Sequence, residues 1–323
     1  MMGQIKSMLL IGLLLLIHVS CNSGNPGCTD PQALNYDPSS MEEDDSCVYE
    51  VVTINPEWSI ELSDQLRETS GLILWGGDLW TLNDDTDPRL YRLDTLTGEI
   101  RESIYLWRVV NRDWEEISQD EDFIYVGDFG NNNGTREDLH ILRISKRSLL
   151  SGHPSVDSIR FTYSDQTDFS NPGFNQTEFD CEAFVVSSDS IYLFTKQWKS
   201  GYTTQYVVPK APGSYVAKKR ASFDTQGQVT GANYLEQERI LVLCGYSGLM
   251  QPFLYLFYEY DGDDFFSGIQ KRVNIALLFH QIEGVASVDG IKYYLSNEHV
   301  AEQSYINIPQ KLHLVDLGEI LSR

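Results

Sequence analysis

Positive charge is scarce in this chain, whose 323 residues carry 24 Lys and Arg against 47 Asp and Glu, for a formal net charge of −23. That balance argues against binding nucleic acid or anionic lipid through bulk charge, and most of the acidic excess reads as a solvated surface. Long apolar runs are missing too: the run from Met8 to Ile17 has ten residues, too few to span a bilayer. Cysteine is confined to positions 21, 28, 47, 181 and 244, with no C-x-x-C pair for dithiol redox chemistry. Absent as well are G-x-S-x-G, a P-loop and H-E-x-x-H, which removes three common routes to hydrolytic chemistry.

Within the first twenty residues Lys6 is the one charge, and it precedes the apolar run as the n-region precedes the h-region of a signal peptide. Residues 1–20 are therefore expected to be removed; this takes Lys6 away and leaves the mature chain one unit more negative. What remains, about 300 residues, is enough for a sizeable core in one large domain. The run ends at His18-Val19-Ser20-Cys21, followed by polar Asn22-Ser23-Gly24-Asn25. This stretch resembles the lipobox of bacterial lipoproteins, although His18 stands where that family favours Leu. The resemblance implies acylation of Cys21, a tether over residues 21–27 and a lipid-anchored place in the cell envelope, periplasmic or surface-exposed; plain secretion is the alternative. A lipid on Cys21 would be the chain's contact with the membrane, anchoring it without spanning.

Residues 28–49 run Cys28-Thr29-Asp30-Pro31-Gln32-Ala33-Leu34-Asn35-Tyr36-Asp37-Pro38 and close on Asp44-Asp45-Ser46-Cys47-Val48-Tyr49. They resemble a small two-cysteine module of bacterial secreted and surface proteins. A Cys28–Cys47 disulfide is expected, since about twenty residues need a staple in place of a core. Asp30, Asp37, Asp44 and Asp45 could hold calcium or form a solvated acidic loop. Cys181 and Cys244 read as buried thiols, with a bridge between them left open.

From residue 50 to 323 one grammar recurs five times. Ser70-Gly71-Leu72, Glu115-Glu116-Ile117, Glu182-Ala183-Phe184, Thr230-Gly231-Ala232 and Glu283-Gly284-Val285 are each followed, nine or ten positions on, by an apolar run beginning at Leu79, Ile124, Ile191, Ile240 or Tyr293. The key residues lie 45, 67, 48 and 53 positions apart. Repeats of roughly 40–50 residues, each of several short strands, predict an all-β chain and a five-bladed β-propeller. The fifth repeat is a strand short, and the strand-like segment Val51–Leu62 is expected to complete it and close the ring. A sixth blade between Tyr163 and Cys181 is the alternative, but Ser164–Phe179 is rich in Asp, Asn, Ser, Gln and Gly and reads as a loop, long enough for a lid.

Aligning the repeats places Ser70, Glu115, Glu182, Thr230 and Glu283 at the start of the innermost strands. The residues that follow are Gly71, Glu116, Ala183, Gly231 and Gly284, four of them small, as crowding at an axis requires. Three carboxylates about 6 Å apart repel by roughly 3 kcal/mol per pair at an effective dielectric near 20, so a cation or protons must compensate. A set of oxygen ligands without His or Cys favours calcium over zinc or copper, and the width of the ring predicts bridging waters.

These five segments resemble the calcium-activated nucleotidases, or apyrases, a five-bladed propeller family hydrolysing nucleoside di- and triphosphates. The family's axis order Ser, Glu, Glu, Ser, Glu is matched by Ser70, Glu115, Glu182, Thr230 and Glu283. Similar local text occurs at Leu79-Trp80-Thr81-Leu82-Asn83-Asp84-Asp85, Ile124-Tyr125-Val126-Gly127-Asp128 and Ile282-Glu283-Gly284. The resemblance implies calcium on those five residues. Where the family places arginines after the second strand of blade three and a lysine after that of blade four, this chain has Lys196-Gln197 and Gly245-Tyr246.

Two functions follow as expectations. The first is a propeller that binds a small molecule, glycan or protein at the channel mouth through Asn83, Arg89, Asn131, Lys196, Tyr246 and Asn297. The alternative is a calcium-dependent phosphoanhydride or phosphoester hydrolase with Asp84 or Asp128 as general base. Nucleic acid is not an expected partner of either.

Overall fold

The computed structural model describes residues 25–44, 46–287, 289–302 and 305–321. The leader and Cys21 lie outside them. The described chain forms two compact units, one through Cys47 and one from Val48. In the first, Cys28 and Cys47 are joined by a disulfide. There the carboxylates of Asp30 and Asp37 cap turns, accepting the backbone N–H of Gln32 and Ser39, each at 2.8 Å.

The second unit is all-β. Two short strands, β1 (Val52–Ile54) and β2 (Trp58–Glu61), precede a meander of β3 (Thr69–Trp75), β4 (Asp78–Asn83), β5 (Arg89–Leu93) and β6 (Ile100–Tyr105). A second meander comprises β7 (Trp114–Gln119), β8 (Phe123–Asp128), β9 (His140–Ser145) and β10 (Val156–Tyr163), with helix α1 (Lys146–Leu150) between its last two strands. The third is β11 (Asp180–Val186), β12 (Ser190–Lys196), β13 (Tyr202–Pro209) and β14 (Gly213–Asp224). Parallel pairing of β10 with β14, from Ile159 opposite Gly213 to Tyr163 opposite Ala217, fuses these two into one eight-stranded sheet.

The fourth meander is β15 (Gln228–Leu235), β16 (Ile240–Ser247), β17 (Gln251–Tyr258) and β18 (Ile269–Ile275). The fifth has β19 (Ile282–Ser287), β20 (Lys292–Asn297) and β23 (Lys311–Asp316), with a small hairpin, β21 (Val300–Glu302) and β22 (Ile306–Ile308), in the last connection and helix α2 (Gly318–Leu321) after it. The segment Val51–Leu62 serves two sheets. Strand β2 pairs antiparallel with β23 and supplies the fifth sheet's missing strand, while β1 pairs parallel with β18 and widens the fourth to five strands. Residues 164–179 contain no strand.

Inner and outer strands differ in burial as their sequences differ. Strand β11 is buried throughout and reads as a continuous small and apolar run apart from Asp180 and Glu182. Strand β10 alternates toward its outer end, burying Ile159, Phe161 and Tyr163 while Arg160 and Thr162 face solvent. Five apolar clusters fill the spaces between successive sheets. Trp80 and Leu82 meet Trp114 and Ile117; Tyr125 and Ile141 meet Phe184 and Tyr206; Ala183 and Phe194 meet Leu243 and Phe253; Val242 and Leu254 meet Val285 and Leu295. The last cluster brings Leu312 and Leu314 against Leu79 and Tyr91, so the sheets pack in a closed cycle. Cys181 and Cys244 are both free and buried in these cores.

Candidate functional site

The first strand of each meander departs from regular pairing at or next to its key residue. Between β7 and β8 the register passes from Trp114 opposite Asp128 to Glu116 opposite Gly127, leaving Glu115 without an opposite residue. Glu182, Thr230 and Glu283 are skipped in the same way on β11, β15 and β19. On β3 the irregularity falls just after Ser70, between it and Ile73. A bulge bends a strand and re-aims one side chain, so the four bulges that skip Glu115, Glu182, Thr230 and Glu283 turn those residues away from the sheet faces, whereas Ser70 stays in the ladder opposite Leu82. Ser70 and Thr230 bridge adjacent inner strands, their hydroxyls donating to the carbonyls of Glu115 and Ile282.

Glu116 is the exception to the run of small neighbours, and it uses the space they leave. Its side chain is fully buried: Oε1 accepts the N–H of Ile117 at 2.9 Å and Oε2 accepts the N–H of Ala232, on β15, at 2.8 Å, with a further backbone hydrogen bond from Leu72 on β3. A Cβ at Gly71 would lie 2.5 Å from Glu116 Oε1 and 2.6 Å from the backbone nitrogen of Ile117, and the positive φ of 65° there also favours glycine. Burial pushes the Glu116 carboxyl well above the usual range, opposed by these backbone donors.

Glu115, Glu182 and Glu283 are buried, and further carboxylates surround them. Burial raises Glu115 well above the usual carboxylate range, with Glu182 and Asp113 adding to it. Glu283 is raised by burial and by Glu298, and Glu182 by burial and by Asp180; in both, the ammonium of Lys196 opposes the rise. Lys196, at the end of β12, holds Glu182 Oε2 at 2.6 Å, with both side chains about 5% exposed. Carboxylate oxygens of Glu68, Asp84 and Glu298 lie within 4.8 Å of one another. Among the described residues the three axis glutamates do not close to that distance. The donor set is of the kind a hard divalent cation takes, rich in oxygen and buried, with Lys196 and Arg136 as the cations beside it.

The other expected site residues divide by surroundings. Asp84 is half-buried, and burial with Glu68 and Asp113 beside it raises its carboxyl to about 7. Asp128 faces the ion pair of Arg136 at 2.6 Å and also accepts the backbone N–H of Arg112 at 3.2 Å, both its oxygens engaged by structure. Asn131 takes Asp180 on its backbone N–H at 2.6 Å and gives its side-chain amide to the Phe179 carbonyl. Asn297 is fully buried between the Glu298 and Pro309 carbonyls and His313. Asn83 donates to the Gln65 carbonyl, leaving its buried Oδ1 without a hydrogen-bond partner. Arg89 pairs with Asp87 and lies over the Tyr105 ring, while Tyr246 lies beside Lys196. The lysine expected at the mouth thus points inward, and the asparagines brace loops.

Asp113, Asp180 and Glu68 belong to the cluster but are absent from the expected set. A signal for them exists. Two positions before the key residues stand Glu68, Asp113, Asp180, Gln228 and Gln281, polar in every repeat. The recurrence of a polar residue at that one offset is the legible signal, although these residues lie at or just before the strand starts.

A pH dependence follows from the raised carboxyls. Asp84 stands at about 7 and Asp113 at about 6, the latter raised by burial and by Asp180, so the folded chain binds protons that the unfolded chain releases near its ordinary carboxylate value. Their contribution is present below about pH 4 and is lost as pH rises through 6 and 7. In a chelating buffer the melting temperature is expected to fall from pH 5 to pH 8, and Asp84→Asn to flatten that slope. An Asp84→Asn variant with the wild-type slope would contradict the assignment.

No family model matches the chain, and no curated protein matches it. Among solved structures, the chain is similar to one in "Crystal Structure of Mitotic Checkpoint Complex" at 10% identity and a TM-score of 0.40, covering 81% of this chain and 94% of that one. It is also similar to the computationally designed Ika8 protein at 12% identity and a TM-score of 0.32, covering 74% of this chain and 58% of that one. Likenesses of this degree carry no argument about function.

Proposed function

We propose that the chain is an exported, lipid-anchored five-bladed β-propeller that holds a calcium ion on its axis through Ser70, Glu115, Glu182, Thr230 and Glu283 and binds a ligand at the adjoining mouth. The observation that carries this reading is the excess of buried carboxylates. Glu115, Glu182, Glu283, Asp180, Asp113, Asp84 and Glu298 all lie above the ordinary carboxylate range, burial being the largest cause in each. Metal would relieve what protons otherwise relieve. The five meanders support the blade count, four of them bulged at the key residue and the first just after it. The disulfide between Cys28 and Cys47 is in keeping with an oxidising compartment.

A second reading, hydrolysis of phosphoanhydrides in the apyrase manner, is favoured by Asp84 alone. Half-buried beside Glu68 and Glu298 and raised to about 7, it has the proton affinity of a general base working near neutrality. Against it stands the shortage of cations for a polyphosphate, since Lys196 is committed to Glu182 and Arg136 to Asp128. The test is calcium binding by calorimetry together with phosphate release from nucleoside di- and triphosphates, in calcium and in chelator. Binding without turnover is expected. Calcium-dependent turnover lost in Asp84→Asn would establish the second reading, and absence of calcium binding would sink the metal site.

A further inference from the structure

Lys196 is the most deeply placed cation of the carboxylate cluster. Its side chain is about 5% exposed, and its Nζ lies 2.6 Å from Glu182 Oε2. The same nitrogen lies over the ring of Trp198, 4.4 Å from its centroid, and 5.4 Å from that of Tyr246. Trp198 is fixed in turn by its indole N–H, which donates to Asp180 Oδ2 at 2.7 Å. The ammonium's field reaches Glu182, Glu283, Asp180, Asp84, Asp113 and Glu298, and Arg136 adds to it at Asp113. Strand pairing places Lys196 opposite Asp180, two residues before Glu182, so the β11–β12 hairpin delivers both the carboxylates and the cation that faces them.

An ammonium so placed is a monovalent ion on a covalent tether. It neutralises one charge of the cluster at all metal concentrations, and it repels any second cation that approaches Glu182. Aromatic faces hold it there in a site from which water is largely excluded, where the ring quadrupoles act more strongly than at a surface.

We propose that Lys196 sets the affinity of the axis, a built-in cation that weakens its hold on divalent ions and lets the ring stay folded when they are removed. This rests on the reading that the axis takes a divalent cation, and its test separates the two. The experiment compares wild type, Lys196→Met and Lys196→Arg as full chains. Calcium affinity is measured by calorimetry, and melting temperature in chelator and in saturating calcium.

Removing a unit charge in contact with the site should raise calcium affinity about tenfold or more. Lys196→Met should melt well below wild type in chelator and recover most of the loss in calcium, while Lys196→Arg should keep the weak wild-type affinity. If Lys196→Met folds only when calcium is supplied, the lysine's role is supported; if it does not fold even in calcium while Lys196→Arg does, the lysine is a packing element and the proposal fails. Wild-type affinity in Lys196→Met overturns the proposal and leaves the axial calcium standing. Calcium binding by Lys196→Met but not by wild type overturns axial calcium in this chain and keeps the lysine's role. No binding by either overturns both.

Discussion

Glu116→Ala is expected to destabilise the fold by roughly 5 kcal/mol, because it leaves three buried backbone N–H groups without an acceptor at about 1–3 kcal/mol each. Those donors belong to Leu72, Ile117 and Ala232, on β3, β7 and β15, so the loss falls on strands of three different sheets. Removal of a buried carboxyl whose proton affinity is already raised by burial offsets part of this. Glu116→Gln keeps one acceptor oxygen but turns an amide NH2 toward a backbone N–H, and its loss should be smaller, on the order of 2–3 kcal/mol. Urea unfolding at fixed calcium measures both. An alanine variant within about 1 kcal/mol of wild type would mean that water satisfies the three donors and that the side chain is not a cross-axis tie.

Asp128→Ala is expected to cost about 3–5 kcal/mol, the range for breaking one side of a buried ion pair. The Asp128 side chain is 1% exposed and Arg136 only 13%, so the guanidinium would be left largely out of water. Arg136 keeps its bonds to the Gly130 carbonyl and to Asp138, which places the expected value toward the lower end. In Asp128→Asn a partner remains and the loss should be about half as large. The measurement also separates two roles: a general base would lose turnover with its melt preserved, whereas Asp128 should lose its melt first. A stable Asp128→Asn chain would return it to the list of candidate bases.

Much of the ring is legible in the sequence because its inner strands carry one grammar: a polar key residue, a small residue, then a buried run. That grammar records local geometry, since the bulge and the crowding at the axis act on neighbouring residues. What it cannot record is pairing between distant strands. Nothing in Val156–Tyr163 or Gly213–Asp224 marks them as parallel partners, and Val52–Ile54 carries no sign that it adds to Val273–Ile275. For the site, the residues that follow the second strands were legible as a set, but not in their direction. Lys196 and Asn297 end their strands in equivalent places, yet one turns to Glu182 and the other to loop carbonyls. Glu116 shows the same limit from the other side: it breaks the run of small residues, and only the glycines facing it reveal that it has room.

The pairing of β2 with β23 joins Trp58 to Leu314, so almost the whole second unit lies inside the loop that this pairing closes. Closing a loop of that length costs on the order of 5 kcal/mol of chain entropy, and contacts between such distant segments form late. Sheets one to four hold all their antiparallel partners before β23 exists. The first and fifth sheets meet earlier in the chain as well, where Leu72 and Leu79 pack with Ala286 on β19 and Tyr294 on β20. Strand β2 then acts as a clasp over a seam that side chains have already begun: it adds backbone hydrogen bonds to β23 where β3, β19 and β20 supply apolar contact.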